Sequence, residues 1–243
     1  MRLRNIIGNS VLRKALIIGA FGVVICANAH AATVALWTFE STAPLTAGPF
    51  SPEVGAGQAL GLHASGSAVY SSPVGNGSSK SFSSNNWSVG DYYQFKVSTL
   101  GLGGIKLDWH QTGSGTGPRD FVVRYSTDGT NFTTFGSQYA VQINGSPNSP
   151  WSSVGSPNSV FSFSRDLSSI TALNNQANVY LRLVMNSTTA TNGSPVGTGG
   201  TNRVDNVAVT ATPVPEPATL ALSLAGAVGL VGYAVRRKNM ACQ

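Results

Sequence analysis

The stretch GGIKLDWHQ, residues 103–111, alternates apolar and polar side chains along its length. Ile105, Leu107 and Trp109 fall on one face of an extended chain, and polar or charged residues fall on the other. Successive side chains of a β-strand point to opposite faces of a sheet, so this alternation predicts a strand with one face in a hydrophobic core. Two further segments alternate in the same way, namely YYQFKVS at 92–98 and NVYLRLVMN at 178–186.

Outside these three segments the chain also favours short strands. Gly, Ser, Pro and Asn are concentrated between the strand-like runs, as is typical of turns. No long segment between Thr33 and Thr212 has the 3.6-residue period of a helix. The pattern therefore predicts an all-β ectodomain over residues 33–212, an antiparallel β-sandwich of the jelly-roll type. The other strand-like runs are VALWTF at 34–39, DFVVRYS at 120–126, SVFSFS at 159–164 and VDNVAVTA at 204–211.

A hairpin is expected within RYSTDGTNF, residues 124–132. Asp128 and Gly129 stand between two apolar runs, and an Asp-Gly pair supplies the positive φ angles that tight hairpin turns need. The phrase YSTDGTNF is similar to a hairpin of galactose-binding-like and carbohydrate-binding jelly rolls. This resemblance concerns the fold and implies no chemistry, and any Asp-Gly hairpin would give the same pattern.

The net charge of +6 belongs to the two ends of the chain. Four basic residues lie in the first 14 positions, and three basic residues with one acidic residue lie after position 213. Between them the chain has eight basic and eight acidic residues, so we expect no nucleic-acid partner, which would require a basic stripe on the folded part. The only cysteines, Cys26 and Cys242, also lie outside residues 33–212, so the ectodomain can form no disulfide.

Residues 1–32 have the organisation of a secretory signal peptide. A basic segment is followed by a 12-residue apolar run, Ala15 to Cys26, which is shorter than the roughly 20 residues that span a bilayer. Small residues then give two cleavage positions, after Ala29 and after Ala31. The alternative is a permanent N-terminal anchor.

The tail, residues 213–243, contains 18 uncharged residues from 218 to 235. A helix of this length would extend roughly 27 Å, close to the thickness of the hydrocarbon core. The basic cluster 236–238 follows directly, and basic residues beside a spanning helix remain in the cytoplasm. The tail therefore predicts a transmembrane helix over 218–235 and an exported ectodomain.

The order of features in the tail is more specific than that of a simple anchor. Two prolines flank one carboxylate immediately before the apolar segment, and such a segment is extended and rigid. The order of Pro-Glu-Pro, apolar helix and basic cluster resembles the PEP-CTERM sorting domain. The resemblance implies recognition by an exosortase, cleavage near this motif and a Gram-negative host that produces exopolysaccharide. The residues that carry it are Val214, Pro215, Glu216, Pro217, Arg236, Arg237 and Lys238.

The ectodomain sequence contains no motif of a known catalytic site. It has no His-Glu-x-x-His, no Gly-x-Ser-x-Gly and no closely spaced pair of acidic residues, so we expect no enzymatic activity. His63 and His110 are its only histidines, and His110 is expected to face solvent because it alternates with Lys106 and Asp108.

A cation site is suggested by two short motifs near the ends of the ectodomain. Trp37-Thr-Phe-Glu40 lies on the first expected strand and Arg203-Val-Asp-Asn-Val207 lies on the last. They resemble motifs of carbohydrate-binding jelly rolls, in which the Glu and the Asp join backbone carbonyls around a structural calcium. The resemblance implies Glu40 and Asp205 as ligands of a structural Ca²⁺. In the alternative, Asp205 pairs with Arg203 or caps a turn and Glu40 lies on the surface.

Aromatic residues are candidates for binding sugars, because sugar rings stack on exposed aromatic faces. Trp87 and Trp151 lie in polar loops and are expected to be exposed, with Tyr92 and Tyr93 as further candidates. Two functions follow. The first is a structural component of the cell surface or extracellular matrix without a specific ligand. The second is a carbohydrate-binding module associated with exopolysaccharide. In either case we expect an inner-membrane-anchored precursor facing the periplasm, followed by transfer to the cell surface or the extracellular space.

Overall fold

The computed structural model describes residues 30–214, which form two β-sheets packed face to face, antiparallel except for one short pair of strands. This confirms the predicted β-sandwich. Two one-turn 3-10 helices, Ser159–Phe161 and Thr171–Leu173, complete the secondary structure, and the first replaces the start of the strand expected at 159–164. The strands are β1 Ala32–Trp37, β2 Val54–Gly55, β3 Gln58–Leu62, β4 Tyr70–Ser71, β5 Phe82–Ser84, β6 Tyr92–Val97, β7 Leu102–Gly113, β8 Asp120–Ser126, β9 Thr133–Ala140, β10 Gln142–Ile143, β11 Ser162–Asp166, β12 Val179–Met185 and β13 Asn202–Pro213.

The first sheet has eight strands and the second has five. In the first sheet the order is β10-β7-β13-β1-β2, with β11 also beside β7, and with β5 beside β13 and β4 beside β5. In the second sheet the order is β3-β6-β12-β8-β9. Among the strands of residues 30–214, only β10 and β7 pair in parallel.

The core lies between the sheets and is formed by the residues that the alternation predicted. Ile105, Leu107 and Trp109 of β7 are at most 1% exposed. The inward positions of β6 and β12 are buried as well, and each large apolar side chain removed from water contributes about 1.5–3 kcal/mol. These positions are Tyr93, Phe95, Val97, Val179, Leu181, Leu183 and Met185.

The first and last strands are neighbours, as the cation-site argument requires. β1 pairs antiparallel with β13, with Ala32 opposite Ala211 and Trp37 opposite Val207. The other edge of β13 pairs with β7 along most of its 12 residues. The strand from which the chain continues into the sorting motif is therefore central in its sheet.

The expected hairpin joins β8 to β9. Gly129 has a φ of +75°, in the left-handed region that favours glycine. The Asp128 carboxylate accepts hydrogen bonds from the amides of Thr130 and Asn131, both at 2.8 Å, and together with the Asn131 side chain they lower the pKa of Asp128. The turn is thus fixed by its own side chains over a loop that is longer than two residues.

Several expectations for the two ends lie outside the described residues. They are the signal peptide up to residue 29, the Pro-Glu-Pro motif at 215–217, the helix 218–235 and the basic cluster 236–238. Val214 is the last described residue and is 40% exposed. No helix within residues 30–214 has both the length and the apolar character needed to cross a bilayer.

Candidate functional site

The tryptophans expected to be exposed are buried, so the prediction of exposure is wrong. Trp87 is 6% exposed, packs edge-on against His63 with ring centroids 4.4 Å apart, and donates from Nε1 to the Ser84 carbonyl at 2.9 Å. Trp151 is 4% exposed. The Arg203 guanidinium lies over the Trp151 ring, 4.9 Å from the ring centroid. Polar neighbours in the sequence indicated loops, but these loops fold back over the sheets. Neither ring is available for stacking on a sugar.

A buried chain of polar side chains connects Ser84, His63 and Asp91. His63 Nε2 lies 2.9 Å from Ser84 Oγ, and His63 Nδ1 lies 3.0 Å from Asp91 Oδ2. This is the order of contacts in a serine-hydrolase triad. However, Ser84 is fully buried and its hydroxyl also contacts the Tyr93 hydroxyl at 3.1 Å, so a substrate carbonyl cannot reach it in this arrangement.

The hydrogen-bonded side chains Ser84, His63 and Asp91 instead hold the backbone near Ala64 and Ser88 in place. Asp91 accepts from the amide of Ala64 and from the amide of Ser88, both at 2.7 Å, in addition to His63. Burial lowers the pKa of His63 despite the nearby charge of Asp91, so the ring is neutral at pH 7. The network assigns the proton to Nδ1, which donates to Asp91, and Nε2 accepts from the Ser84 hydroxyl. Sequence reasoning missed this chain because its members are isolated residues on separate elements.

The carboxylate of Asp205 is the centre of the candidate cation site. Asp205 is fully buried on β13 and accepts from the Asn76 amide at 2.8 Å and from Ser78 Oγ at 2.6 Å, both in the loop 74–80. Gly75 lets this loop approach closely, because a Cβ there would lie 2.4 Å from Asp205 Oδ2 and 2.0 Å from Ser78 Oγ. The amide of Asn206 donates to the other oxygen, Oδ1, at 2.7 Å.

The same loop contacts the second predicted ligand, Glu40. Glu40 Oε1 accepts from the Lys80 amide at 2.7 Å, and Oε2 accepts from the Ser79 hydroxyl. Burial raises the pKa of Asp205 to about 6, and the negative charge of Glu40 adds to the rise, while the hydrogen bonds from Ser78 and Asn76 oppose it. A bound cation would offset the effect of the Glu40 charge on Asp205.

The alternative partner, Arg203, forms no ion pair with Asp205 within residues 30–214, although the charge of Asp205 opposes the lowering of the Arg203 pKa. Its Nη1 donates to the Val74 carbonyl at 2.9 Å, and burial lowers the pKa of Arg203 to about 10. Within residues 30–214 no three His, Cys, Asp or Glu side chains cluster in a way that could hold a metal ion. A cation here would therefore need carbonyl oxygens beside Glu40 and Asp205, a donor set that Ca²⁺ accepts. Calcium at this position remains a prediction.

His110 does not face solvent as expected. It is half-buried under the loop 74–80, and its Nδ1 accepts from the side-chain amides of Asn76 and Asn206, both at 3.2 Å. Burial lowers the pKa of His110, which keeps this acceptor unprotonated at neutral pH. Alternation correctly predicted the face of β7 on which His110 lies, but the loop 74–80 covers that face.

The second sheet presents a different surface on the side away from the core, which we call the outer face. It is formed by the alternate residues of β6, β12 and β8 whose neighbours point inward, together with Phe132 from the loop between β8 and β9. It carries three half-buried aromatic rings among polar and basic side chains. The rings are Tyr92, Phe132 and Tyr180, and the side chains between them are Gln94, Lys96, Arg124 and Arg182.

Contacts between the side chains of the outer face fix their positions. The Arg182 guanidinium lies 3.8 Å from the centroid of the Tyr92 ring and 3.5 Å from that of Phe132. Its Nε donates to Gln94 Oε1 at 2.8 Å. Lys96 lies 5.4 Å from the Tyr180 ring centroid, and a cleft of about 290 Å³ opens beside Lys96. Sequence reasoning named Tyr92 as a candidate and missed the rest, because strand register decides which side chains meet.

The tail of the chain matches a known family motif. Residues 213–238 match the PEP-CTERM protein-sorting motif. The motif indicates an exported protein that is sorted to the cell surface. No curated protein matches the chain.

Solved structures to which the chain is similar include adhesin and carbohydrate-binding domains. The K2 cleaved adhesin domain of Lys-gingipain is 20% identical, with a TM-score of 0.41 over 73% of this chain and 98% of that domain. The K3 adhesin domain of Lys-gingipain from Porphyromonas gingivalis W83 is 12% identical, with a TM-score of 0.42 over 74% and 99%. The CBM22-2 xylan-binding domain of Paenibacillus barcinonensis Xyn10C is 12% identical, with a TM-score of 0.38 over 63% and 91%. The ligands that these names mention are properties of those proteins.

Proposed function

We propose that this chain is an exosortase-sorted protein of the cell surface or extracellular matrix whose β-sandwich binds surface polysaccharide without catalysis. The observation that carries the proposal is the outer face, where Tyr92, Phe132 and Tyr180 lie among hydrogen-bonding side chains. Aromatic rings offer apolar area to the C–H faces of sugars, and polar neighbours hydrogen-bond the hydroxyls. This face favours the binding module over a structural component that lacks a ligand.

For sorting, we assign each part of the tail a role. The exosortase reads Glu216 with its flanking prolines, and the helix 218–235 with the basic cluster 236–238 keeps the precursor in the inner membrane, facing the periplasm. Cleavage then releases the ectodomain to the cell surface or beyond. The order of these features in the sequence supports the proposal.

Removing the sorting motif should block processing. In the double variant Pro215→Ala/Glu216→Ala we expect the mature protein to retain the tail, whereas the wild type loses it, because the rigid extended recognition segment is destroyed. Intact mass of the protein recovered from an exosortase-bearing host measures this. The matched control Asp166→Ala, at an exposed acidic position of β11, should be processed like the wild type. If wild type and double variant both keep residues 218–243, the tail is only an anchor.

Removing one ring of the outer face should weaken polysaccharide binding. For Tyr180→Ala we expect affinity to fall by about tenfold, the equivalent of 1.4 kcal/mol, because a sugar loses its stacking surface. The full chain in detergent would be screened on a glycan array, and the best ligand titrated by calorimetry. Leu100→Ala, at an apolar position that is 61% exposed in the turn after β6, is the control. A Tyr180→Ala protein that binds as tightly as the wild type would exclude this face.

A further inference from the structure

We propose that the outer face selects acidic polysaccharides, and that Arg124 and Arg182 together bind the carboxylate of a uronic acid residue. This inference rests on the proposed function and specifies its ligand class. The two arginines are direct cross-strand partners in the pairing of β8 with β12, and both belong to the outer face. Like charges directly opposite each other destabilise a sheet, so this pair calls for an anion.

No acidic side chain supplies that anion within residues 30–214. The ion pairs of this region join His63 to Asp91, Lys106 to Asp108, and Arg119 to Asp120. The acidic residue of the adjoining hairpin, Asp128, has its carboxylate occupied by donors of its own turn. The arginine pair of the outer face is therefore left without a carboxylate partner from residues 30–214.

Arg124 provides an independent indication of a missing acceptor. Its Nε is buried and has no hydrogen-bond partner among the described residues. A buried donor without an acceptor is costly, and a charged donor is more costly than a neutral one. Since this Nε is shielded from solvent, a ligand carboxylate would approach the outer part of the half-buried Arg124 guanidinium and offset the charge of the pair.

Arg182 is arranged to complete the site. It lies between the rings of Tyr92 and Phe132, and its Nε is fixed by Gln94, so its guanidinium plane is oriented before any ligand arrives. Its Nη groups make no hydrogen bond to residues 30–214, and a planar guanidinium matches a carboxylate through two parallel bonds. Burial lowers the pKa of Arg182 and the charge of Arg124 adds to this, an effect that a bound anion would reverse.

The surroundings fit a sugar acid better than other polyanions. Lys96, one row further along β6, adds a third positive charge beside the cleft and the Tyr180 ring, so a neighbouring sugar can stack while its acid group meets a cation. The ectodomain as a whole has eight basic and eight acidic residues, so outside these three cations it has five basic against eight acidic residues. A nucleic acid would require a longer basic stripe.

The test compares polygalacturonate with neutral β-1,4-galactan, using the full chain in detergent and calorimetry. We expect polygalacturonate to bind at least about tenfold more tightly than galactan, and Arg124→Gln and Arg182→Gln each to weaken its binding by about tenfold. Arg182→Lys should also weaken it, because the charge remains while the planar fork is lost. The control Lys106→Gln removes an exposed positive charge from the first sheet and should leave the affinity unchanged. Melting curves establish that each variant is folded.

The possible results distinguish failure of the arginine site from failure of the proposed polysaccharide binding. If Arg182→Gln binds polygalacturonate as tightly as the wild type, the arginine pair is not the site. If galactan binds equally well, the module is confirmed and its selectivity for acids is wrong. Equal affinity for single-stranded DNA would indicate unselective attraction of polyanions and would also overturn the inference. Failure to bind any polysaccharide on the array contradicts the proposed function as well.

Discussion

Replacing Asp91 by alanine should lower the free energy of unfolding by about 3–5 kcal/mol, the range expected when one partner of a buried charged network is removed. Asp91 is 2% exposed and accepts from two backbone amides and from His63. In the variant the Nδ1–H of half-buried His63 loses its acceptor, and so do the amides of Ala64 and Ser88, two residues that are exposed. Urea unfolding of the purified chain, followed by tryptophan fluorescence, measures the loss.

A matched exposed carboxylate gives the comparison. Asp108 pairs with Lys106 at 3.0 Å on the first sheet, and both side chains are at least one-third exposed. Asp108→Ala should therefore cost less than about 1 kcal/mol, as is usual for surface ion pairs. Equal costs for Asp91→Ala and Asp108→Ala would show that the buried network contributes no special stability.

Calcium should raise the melting temperature of the chain, and chelator should lower it. A cation that binds only the folded state stabilises it by about 2.7 kcal/mol at one hundred times its dissociation constant. In Asp205→Asn the response should disappear, because one of the two proposed carboxylate ligands is lost. Asp166→Asn, at an exposed carboxylate, should respond like the wild type. A melting temperature indifferent to calcium would refute the site.

The pH dependence gives a second measurement of the same carboxylate. Because the pKa of Asp205 is raised to about 6 in the folded chain, the native state binds a proton more tightly than the unfolded state. Without calcium, this contribution to stability is present below about pH 4 and is lost as the pH rises to about 6. His63 acts in the opposite direction, since its pKa is lowered and stability falls as the pH drops below about 6.5. The difference in stability between wild type and Asp205→Asn cancels the His63 contribution. Because bound calcium favours the charged carboxylate, this difference should no longer fall with rising pH once calcium is present.

Periodicity predicted the sandwich because its strands bury one face each. Ile105, Leu107 and Trp109 were assigned to the core from alternation alone, and all three are buried. The adjacency of β1 and β13 followed from the expected topology. These features depend on local pattern, which the sequence carries directly.

The candidate sites depend on which strands meet and in what register, and alternation does not encode that. Arg124 and Arg182 become neighbours only through the pairing of β8 with β12. Trp87 and Trp151 were misjudged for a related reason, since a polar loop can still fold its one aromatic ring inward. A local pattern gives the face of a strand, while loop closure decides what covers that face.

The central position of β13 has a mechanical consequence for a protein displayed on a surface. The chain leaves β13 at Pro213, so a pull on its C-terminal end, before or after cleavage near 215–217, is transmitted first through β13. That strand is bonded on one edge to β7 and on the other to β1 and β5. Tension of this kind shears two hydrogen-bonded ladders at once, and the load is shared among many bonds. A strand at the edge of the sheet, pulled from its end, would instead peel away one bond at a time.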